Sequence, residues 1–528
     1  MVKSWQNREN LNRNEQWKLA KDGLEIVKQI PEMVGKAFNE LDPGDVERLK
    51  WAGVYAQRPK DGHFLIRVKL PSGRLNSNQA RVLSGIARDY GREGLQITIR
   101  QAVQIHWITL ADVPDILSRL AAVNLSSIEA CGDVPRTILG NPLAGIDPEE
   151  LLDTMPIVQE VFSYFLGNPE FSNLPRKLKI SISANPHDVG FARINDIAFV
   201  PAKKDGEAGF HVYVAGGLSA EPHLAEKLPF FIRPDEVLRV AKAIATIFRE
   251  NGYREKRGHC RLKYLMADWG KEHFAEVVEQ VAGPFEYGGV EIQQEWTRGA
   301  FYGIHEQKQP GYFYFGTNVP AGFLQSDDLL EFARLADEYG DGQLRTTNSQ
   351  NLMLINIPQK NVETLKGAAL FEKFSLTPGT FSGYAASCTG NAFCNFAPIE
   401  TKHRLQTLVE ELDRSFPDAG VPLQINLTGC VHGCAHPQIA DIGLTGSRAK
   451  VNGTSVDAFS IQLGGALGPR AGYGVVLDGK VPEAQLTGLI KGLVRYYLEH
   501  RKEQERFYEL VRRTDITIFQ RMLDAVKI

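Results

Sequence analysis

The chain repeats itself, and that repeat limits its fold more than any other feature. At a constant offset of 249 positions, Gly62, Phe64, Pro71, Leu75, Ser77, Tyr90, Gly91, Leu95, Thr98 and Gln101 meet Gly311, Phe313, Pro320, Leu324, Ser326, Tyr339, Gly340, Leu344, Thr347 and Gln350. Downstream the offset becomes 245, where Leu178, Ile180, Ile194, Asp196 and Ile197 meet Leu423, Ile425, Ile439, Asp441 and Ile442. Gly216-Gly217 then meets Gly464-Gly465 after a small gap. Gapless identity on this scale is the mark of an internal duplication. Each copy opens with an alternating stretch (Gly62 to Leu70 in the first), a helical stretch from Asn76 to Tyr90, and a second extended stretch from Leu95 to Trp107. The expected fold is therefore α/β (α+β), internally duplicated and pseudo-twofold. At 528 residues the chain exceeds one ordinary core, so two to four domains are expected.

The differences between the copies locate the chemistry. Four of the six cysteines fall in two tight pairs, Cys388 with Cys394 and Cys430 with Cys434, on short glycine-bearing loops. Cys430 and Cys434 fall opposite Asn185 and Val189, while Arg67 and Arg100 fall opposite Gly316 and Ser349. One copy keeps soft sulfur donors and the other keeps cations, which points to a single site between the halves. Convergent thiolates suit a metal centre. Disulfides are rare in a long chain with so few cysteines. A structural zinc site usually has gaps of two to four residues, so the five-residue gap fits it poorly. An iron–sulfur cluster also takes four thiolates. From spacing alone these readings stay open.

C-x5-C followed by T-G-C-x3-C-x6-D-I-G-L resembles the signature of the siroheme-containing nitrite and sulfite reductases. The likeness runs from about Trp51 to about Gly465. It implies paired ferredoxin-like units and two further α/β lobes that enclose the cofactors. The corresponding divisions are an N-terminal arm at 1–50, ferredoxin-like halves at 51–125 and 299–367, and cofactor-binding lobes at 126–298 and 368–528. The resemblance assigns Cys388, Cys394, Cys430 and Cys434 to a [4Fe–4S] cluster, with Cys434 also bridging to siroheme iron. It matches Arg67, Arg136, Lys177 and Lys179 to substrate-binding cations. Thr98, Arg100, Gln104 and Arg176 match residues that meet the carboxylates of the macrocycle.

Cations are what such a reaction needs. Sulfite and nitrite are anions, and a nearby unit charge is worth several-fold more in a partly desolvated pocket than in water. Arginine orients oxygens through its planar fork, and lysine can also deliver a proton. Arg67 and Arg136 are expected to bind the anion, and Lys177 and Lys179 to donate protons. Plant-type nitrite reductases carry Asn where Lys179 stands, and sulfite reductases carry Lys. The expected reaction is thus the six-electron reduction of sulfite to sulfide, with nitrite to ammonia as the alternative and a non-catalytic four-cysteine metal or electron-transfer protein as a remote one. The run Ile399-Glu400-Thr401-Lys402 resembles the nitrite branch, and Val431-His432 replaces the Pro-Asn common between the last two cysteines.

No dinucleotide fingerprint, phosphate loop or appended flavin domain is present in the sequence. Electrons are therefore expected from a separate protein, ferredoxin or a flavoprotein donor. Lys402-His403-Arg404 and Arg448–Lys450 are the candidate basic rim for an acidic partner. A net charge of −3 excludes a broadly basic nucleic-acid binder, and no apolar run nears the roughly 20 residues a membrane span needs. Met1 to Lys18 is polar, without the apolar stretch of an export signal, so a cytoplasmic monomer is expected. Tyr55 and Cys131 are candidates for an oxidative crosslink beside the pocket, and Cys260 receives no role. Trp17–Ala37 and Pro482 to Leu523 read as helical.

Overall fold

The computed structural model describes residues 8–527, so the first seven residues of the expected arm lie outside it. The duplication is realised as two sheets that trade a strand. In the first, strands Phe64–Val68, Val103–Ile108 and Gly94–Ile97 are completed by Phe323–Gln325 from the other copy, with Leu324 opposite Leu95. In the second, Tyr312–Thr317, Leu352–Pro358 and Gln343–Thr346 are completed by Arg74–Asn76 of the first copy, with Leu75 opposite Leu344. Each donated strand leads straight into a helix, Ser77–Tyr90 or Ser326–Tyr339. Asn76 caps the former and exchanges bonds with Gln79, a sequence-readable start signal. The buried stripe Ala80, Leu83, Ile86, Ala87 meets Leu329, Phe332, Ala333 and Ala336 in one core shared by both copies. The reciprocity reaches single side chains. Gln101 donates to the Thr346 carbonyl at 3.3 Å, and Gln350 donates to the Ile97 carbonyl at 3.1 Å.

Each copy continues into a lobe with its own core. In the first lobe, Leu139–Gly140, Ile180–Ile182 and Ile197–Lys204 run parallel, followed by antiparallel Glu207–Val214 and Glu226–Ile232. In the second, Ala385–Ser387, Ile425–Thr428 and Ile442–Val451 run parallel, followed by antiparallel Thr454–Leu463. A small apolar cluster of Leu139, Phe191, Ile194, Trp296, Ile439 and Leu467 joins the lobes. Asp196 and Asp441 are pseudo-symmetric anchors. Asp196 accepts from the Lys179 amide at 2.8 Å and from Arg261 at 2.8 Å; Asp441 accepts from the Gln424 amide at 2.9 Å and from Arg298 at 2.8 Å.

Three local expectations change. Leu95 to Trp107 is two strands joined by a tight turn, because Gln101 takes a left-handed φ of 58° and Thr98 accepts from two amides across the bend. That turn is what lifts Arg100 out of the sheet. Lys177 and Lys179 precede the strand Ile180–Ile182 instead of lying within it; the single bridge from Pro135 to Leu178 keeps the segment extended, so both lysines flank buried Leu178 on one side. The C-terminal run breaks into Glu483–His500, Phe507–Arg513 and Ile516–Asp524. Among the described residues no helix is long and apolar enough to cross a membrane.

Candidate active site between the two halves

The four thiols come together at the ends of the strands Ala385–Ser387 and Ile425–Thr428. Parallel pairing of these strands delivers both cysteine loops to one edge. The loops pack so closely that Gly429 cannot be replaced: a Cβ there would lie 2.7 Å from that of Ala397, and the Gly429 amide donates to Cys388 Sγ at 3.1 Å. The Phe396 amide points at Cys394 Sγ, 3.4 Å away. Cys434 is exposed by area yet lies deep between the lobes; that depth, and Cys388 beside it, push its thiol above the usual range. Burial, with an amide opposing it, carries Cys430 up to about 11, and Cys434, Cys394 and Cys388 all add to the rise. Among the described residues no three His, Cys, Asp or Glu side chains close on one point as a single ion requires. Thiols that feel one another's charge from separate positions fit a cluster that takes one thiolate per iron.

The cations of the first copy face these thiols. Lys177 and Lys179 both act on Cys434, and Lys179 and Arg100 act on buried His436. Burial first, and then neighbouring cations, push Lys179 down to about 7, Lys177 well below its ordinary range and Arg100 to about 9. Arg67 is held by Gln104 Oε1 through two nitrogens, at 2.7 and 3.1 Å, and lies 5.0 Å over the Tyr55 ring. Arg136 is fixed by the carbonyls of Gly132 (2.8 Å) and Ala130 (3.3 Å). Arg100 donates to Asn195 Oδ1 and to the Thr137 carbonyl, each at 2.8 Å. Arg176 touches Asp133 at 3.5 Å. This concentration of half-buried positive charge, with Asp133 and Asp196 as its nearby carboxylates, fits an occupant carrying many negative charges, as an acidic tetrapyrrole with an oxyanion would. The residues present therefore fit both implied groups.

Those depressed lysines have a testable consequence. Between about pH 7 and the ordinary lysine range the unfolded chain binds protons that the folded, cofactor-free chain has released, so stability rises with pH. Thermal unfolding of cofactor-free protein is expected to give a midpoint that climbs between about pH 7 and about pH 9, with a flatter climb in a Lys177→Met/Lys179→Met variant. An unchanged slope in that variant contradicts the placement of these side chains.

The second would-be site is filled by the chain itself. Gly316, opposite Arg67, has no room for a side chain, since a Cβ would sit 1.5 Å from the Phe301 carbonyl. Asn185, opposite Cys430, donates instead to Asp147 at 2.6 Å, and Asn141 shares the same carboxylate oxygen at 2.6 Å. The run from Gly303 to Gln309 belongs to this packing: the Lys308 amide bonds the Ile146 carbonyl at 2.8 Å, as the Arg58 amide bonds the Phe393 carbonyl at 2.9 Å in the other half.

The expected basic rim is in part already engaged, while His403 and Lys450 stay exposed. Lys402 is half-buried with its ammonium on the Ala321 carbonyl, Arg404 is bound by Asp457 (2.9 Å) and Glu483 (2.8 Å), and Arg448 pairs with Asp457. The surface over the cysteine loops is apolar instead, with Phe396 71% and Val431 61% exposed. Arg58 and Arg92 flank it, Arg58 on the Ala397 carbonyl and Arg92 stacked 3.7 Å over Trp107, which packs edge-on against Phe393. Beside the pocket, Tyr55 and Cys131 are hydrogen-bonding neighbours; burial alone would raise the Cys131 thiol, but Arg136 and Arg67 hold it below the usual range. Asp133, Arg257 and Asn195 hold the pocket's cations in place, and no motif in the sequence singles them out for that work.

Both halves of this architecture match known families. A model described as the nitrite and sulphite reductase 4Fe-4S domain matches residues 131–284 and 383–527. One described as the nitrite/sulfite reductase ferredoxin-like half domain matches residues 55–123 and 305–370. Over 491 residues the chain is 40% identical to a ferredoxin–nitrite reductase of Synechococcus elongatus, covering 91% of this chain and 94% of that one. Over 549 residues it is 34% identical to a ferredoxin sulfite reductase of Mycolicibacterium paratuberculosis, covering 96% of each. The solved structure of the Mycobacterium tuberculosis NirA protein superposes with a TM-score of 0.91 at 34% identity, over 97% of this chain and 98% of that one.

Proposed function

The chain belongs to the nitrite and sulphite reductase family, and from that premise we propose that it reduces sulfite to sulfide with electrons from ferredoxin. Siroheme and a [4Fe–4S] cluster are its cofactors; Cys388, Cys394, Cys430 and Cys434 would hold the cluster. When bound, they supply an iron that takes up the oxyanion and a store of electrons beside it.

The chain's own residues do the rest. Arg67 and Arg136 fix the oxyanion's orientation, and both start from held positions, so little ordering remains when it arrives. Lys177 and Lys179 hold the protons. Lys179, poised near neutral pH, can carry a proton to a substrate oxygen and be recharged. Thr98, Arg100, Arg176 and the amide of Gln104 would meet the carboxylates of the macrocycle, while Gln104 Oε1 is already given to Arg67.

The observation that carries sulfite over nitrite is the lysine pair: two half-buried lysines that act on Cys434 and can be charged by an arriving anion suit a dianion better than a monoanion. Nitrite is the second reading, favoured by the 40% identity to a nitrite reductase. Steady-state turnover of both anions under one donor decides, and a higher kcat/KM for nitrite overturns the sulfite assignment.

The donor docks over Phe396 and Val431, a short path from Cys394 and Cys430, with Arg58 and Arg92 steering an acidic partner. Phe396→Ala is expected to raise the KM for ferredoxin about 10-fold, the loss of one interface aromatic, while turnover with a small dye donor stays unchanged. Equal loss with both donors contradicts that surface.

A further inference from the structure

We propose that Asp133 is the positioning residue of the anion pocket, and that the N-terminal helix Arg13–Ala20 takes part in the site through it. The carboxylate is 1% exposed and is shared by three cations from three parts of the chain. Arg257 grips both oxygens, one at 2.9 Å; Lys18 reaches Oδ2 at 3.2 Å; Arg176 donates to Oδ1 at 3.5 Å. Burial alone would push this carboxyl up, but Arg257, Lys18 and Arg176 hold it well below the usual carboxylate range.

Its backbone lies on the segments that carry the pocket. The Leu174 amide donates to the Asp133 carbonyl at 2.8 Å, the Leu178 amide to Val134 at 3.0 Å, and the Arg136 amide returns to Leu178 at 2.8 Å. Arg136, Lys177 and Lys179 therefore stand on a ladder whose first rung is Asp133. Only one nitrogen of Arg176 touches Asp133, at the long end of a hydrogen bond, so most of its guanidinium remains free to meet an incoming carboxylate.

Lys18 fixes the far side. It also donates to the Leu174 carbonyl at 2.8 Å and pairs with Glu15, which binds Arg254 at 2.5 Å. Removing Asp133 leaves three cations repelling one another, and Arg176 and Arg257, each with a side chain 27% exposed, both have room to move away. The inference rests on the reading that the pocket takes siroheme and an oxyanion.

The test compares full-length Asp133→Asn, Lys18→Met and Lys18→Arg with wild type, all isolated anaerobically with their cofactors. Two readouts are taken: the siroheme-to-cluster ratio by absorption and iron analysis, and the split between kcat and KM for sulfite and for nitrite. Asp133→Asn is expected to hold siroheme about 10–100-fold more weakly, as for loss of an outer-sphere partner, and to raise KM more than it lowers kcat. Lys18→Met should shift both in the same direction by less, and Lys18→Arg should restore both. Wild-type siroheme content and KM in Asp133→Asn overturn the proposal. If that variant does not fold, wild-type values in Lys18→Met overturn it. A wild-type chain that takes up a cluster but no tetrapyrrole overturns the underlying reading, and this proposal with it.

Discussion

Lys179→Met is expected to lower kcat/KM for sulfite by about 10²–10⁴-fold, the range for losing a placed proton donor. The side chain is aimed by its own backbone, since its amide is tied to Asp196, which Arg261 grips in turn. Methionine keeps the volume and the apolar stem and removes the charge and the proton donor. Stability should hold or improve, because the amine is partly desolvated and crowded by Arg100 and Arg261 and costs energy to charge there. Nitrite, with one charge fewer, should lose less than sulfite, so the ratio of the two activities should move toward nitrite. Equal losses on both anions would assign Lys179 to cofactor binding. No loss on either would remove it from the site.

Cys434→Ser should be more severe, with reduction of both anions falling to background. A hydroxyl is a hard donor where a soft thiolate is required, and it takes its proton with it at neutral pH. Cys434 is also the thiol closest in effect to Lys177 and Lys179, so its loss uncouples sulfur from the cation pocket as well. Iron content should drop and the visible bands should weaken together. Cys260→Ser is the matched control for iron: that thiol is buried against Asn12 and the Lys256 carbonyl, apart from the two cysteine loops, and its replacement should leave iron content as it was. A Cys434→Ser protein that kept wild-type iron and turnover would contradict the ligand assignment.

How far the sequence could be read follows from what each feature depends on. The duplication and the cysteine loops were legible because their signals are local in spacing or repeated in register. The exchange of Arg74–Asn76 with Phe323–Gln325 was not, because three-residue strands carry no periodicity and their partners lie in the other copy. The turn at Gln101 was hidden inside a run of alternating apolar and polar residues, where a positive φ on a non-glycine residue leaves no mark. Lys402 and Arg404 illustrate the limit for charges: sequence displays the cation but not the carbonyl or carboxylate that already occupies it. The same limit concealed Asp133, whose three partners come from residues 18, 176 and 257.

One cation set and one thiol set, each kept by only one copy, mean one site per chain. The direct measurement is siroheme and iron per chain in anaerobically purified wild-type protein, by absorption and elemental analysis. The expected result is about one siroheme and about five irons, four in the cluster and one in the macrocycle. Colourless protein, zinc in place of iron, or two siroheme groups per chain would contradict it.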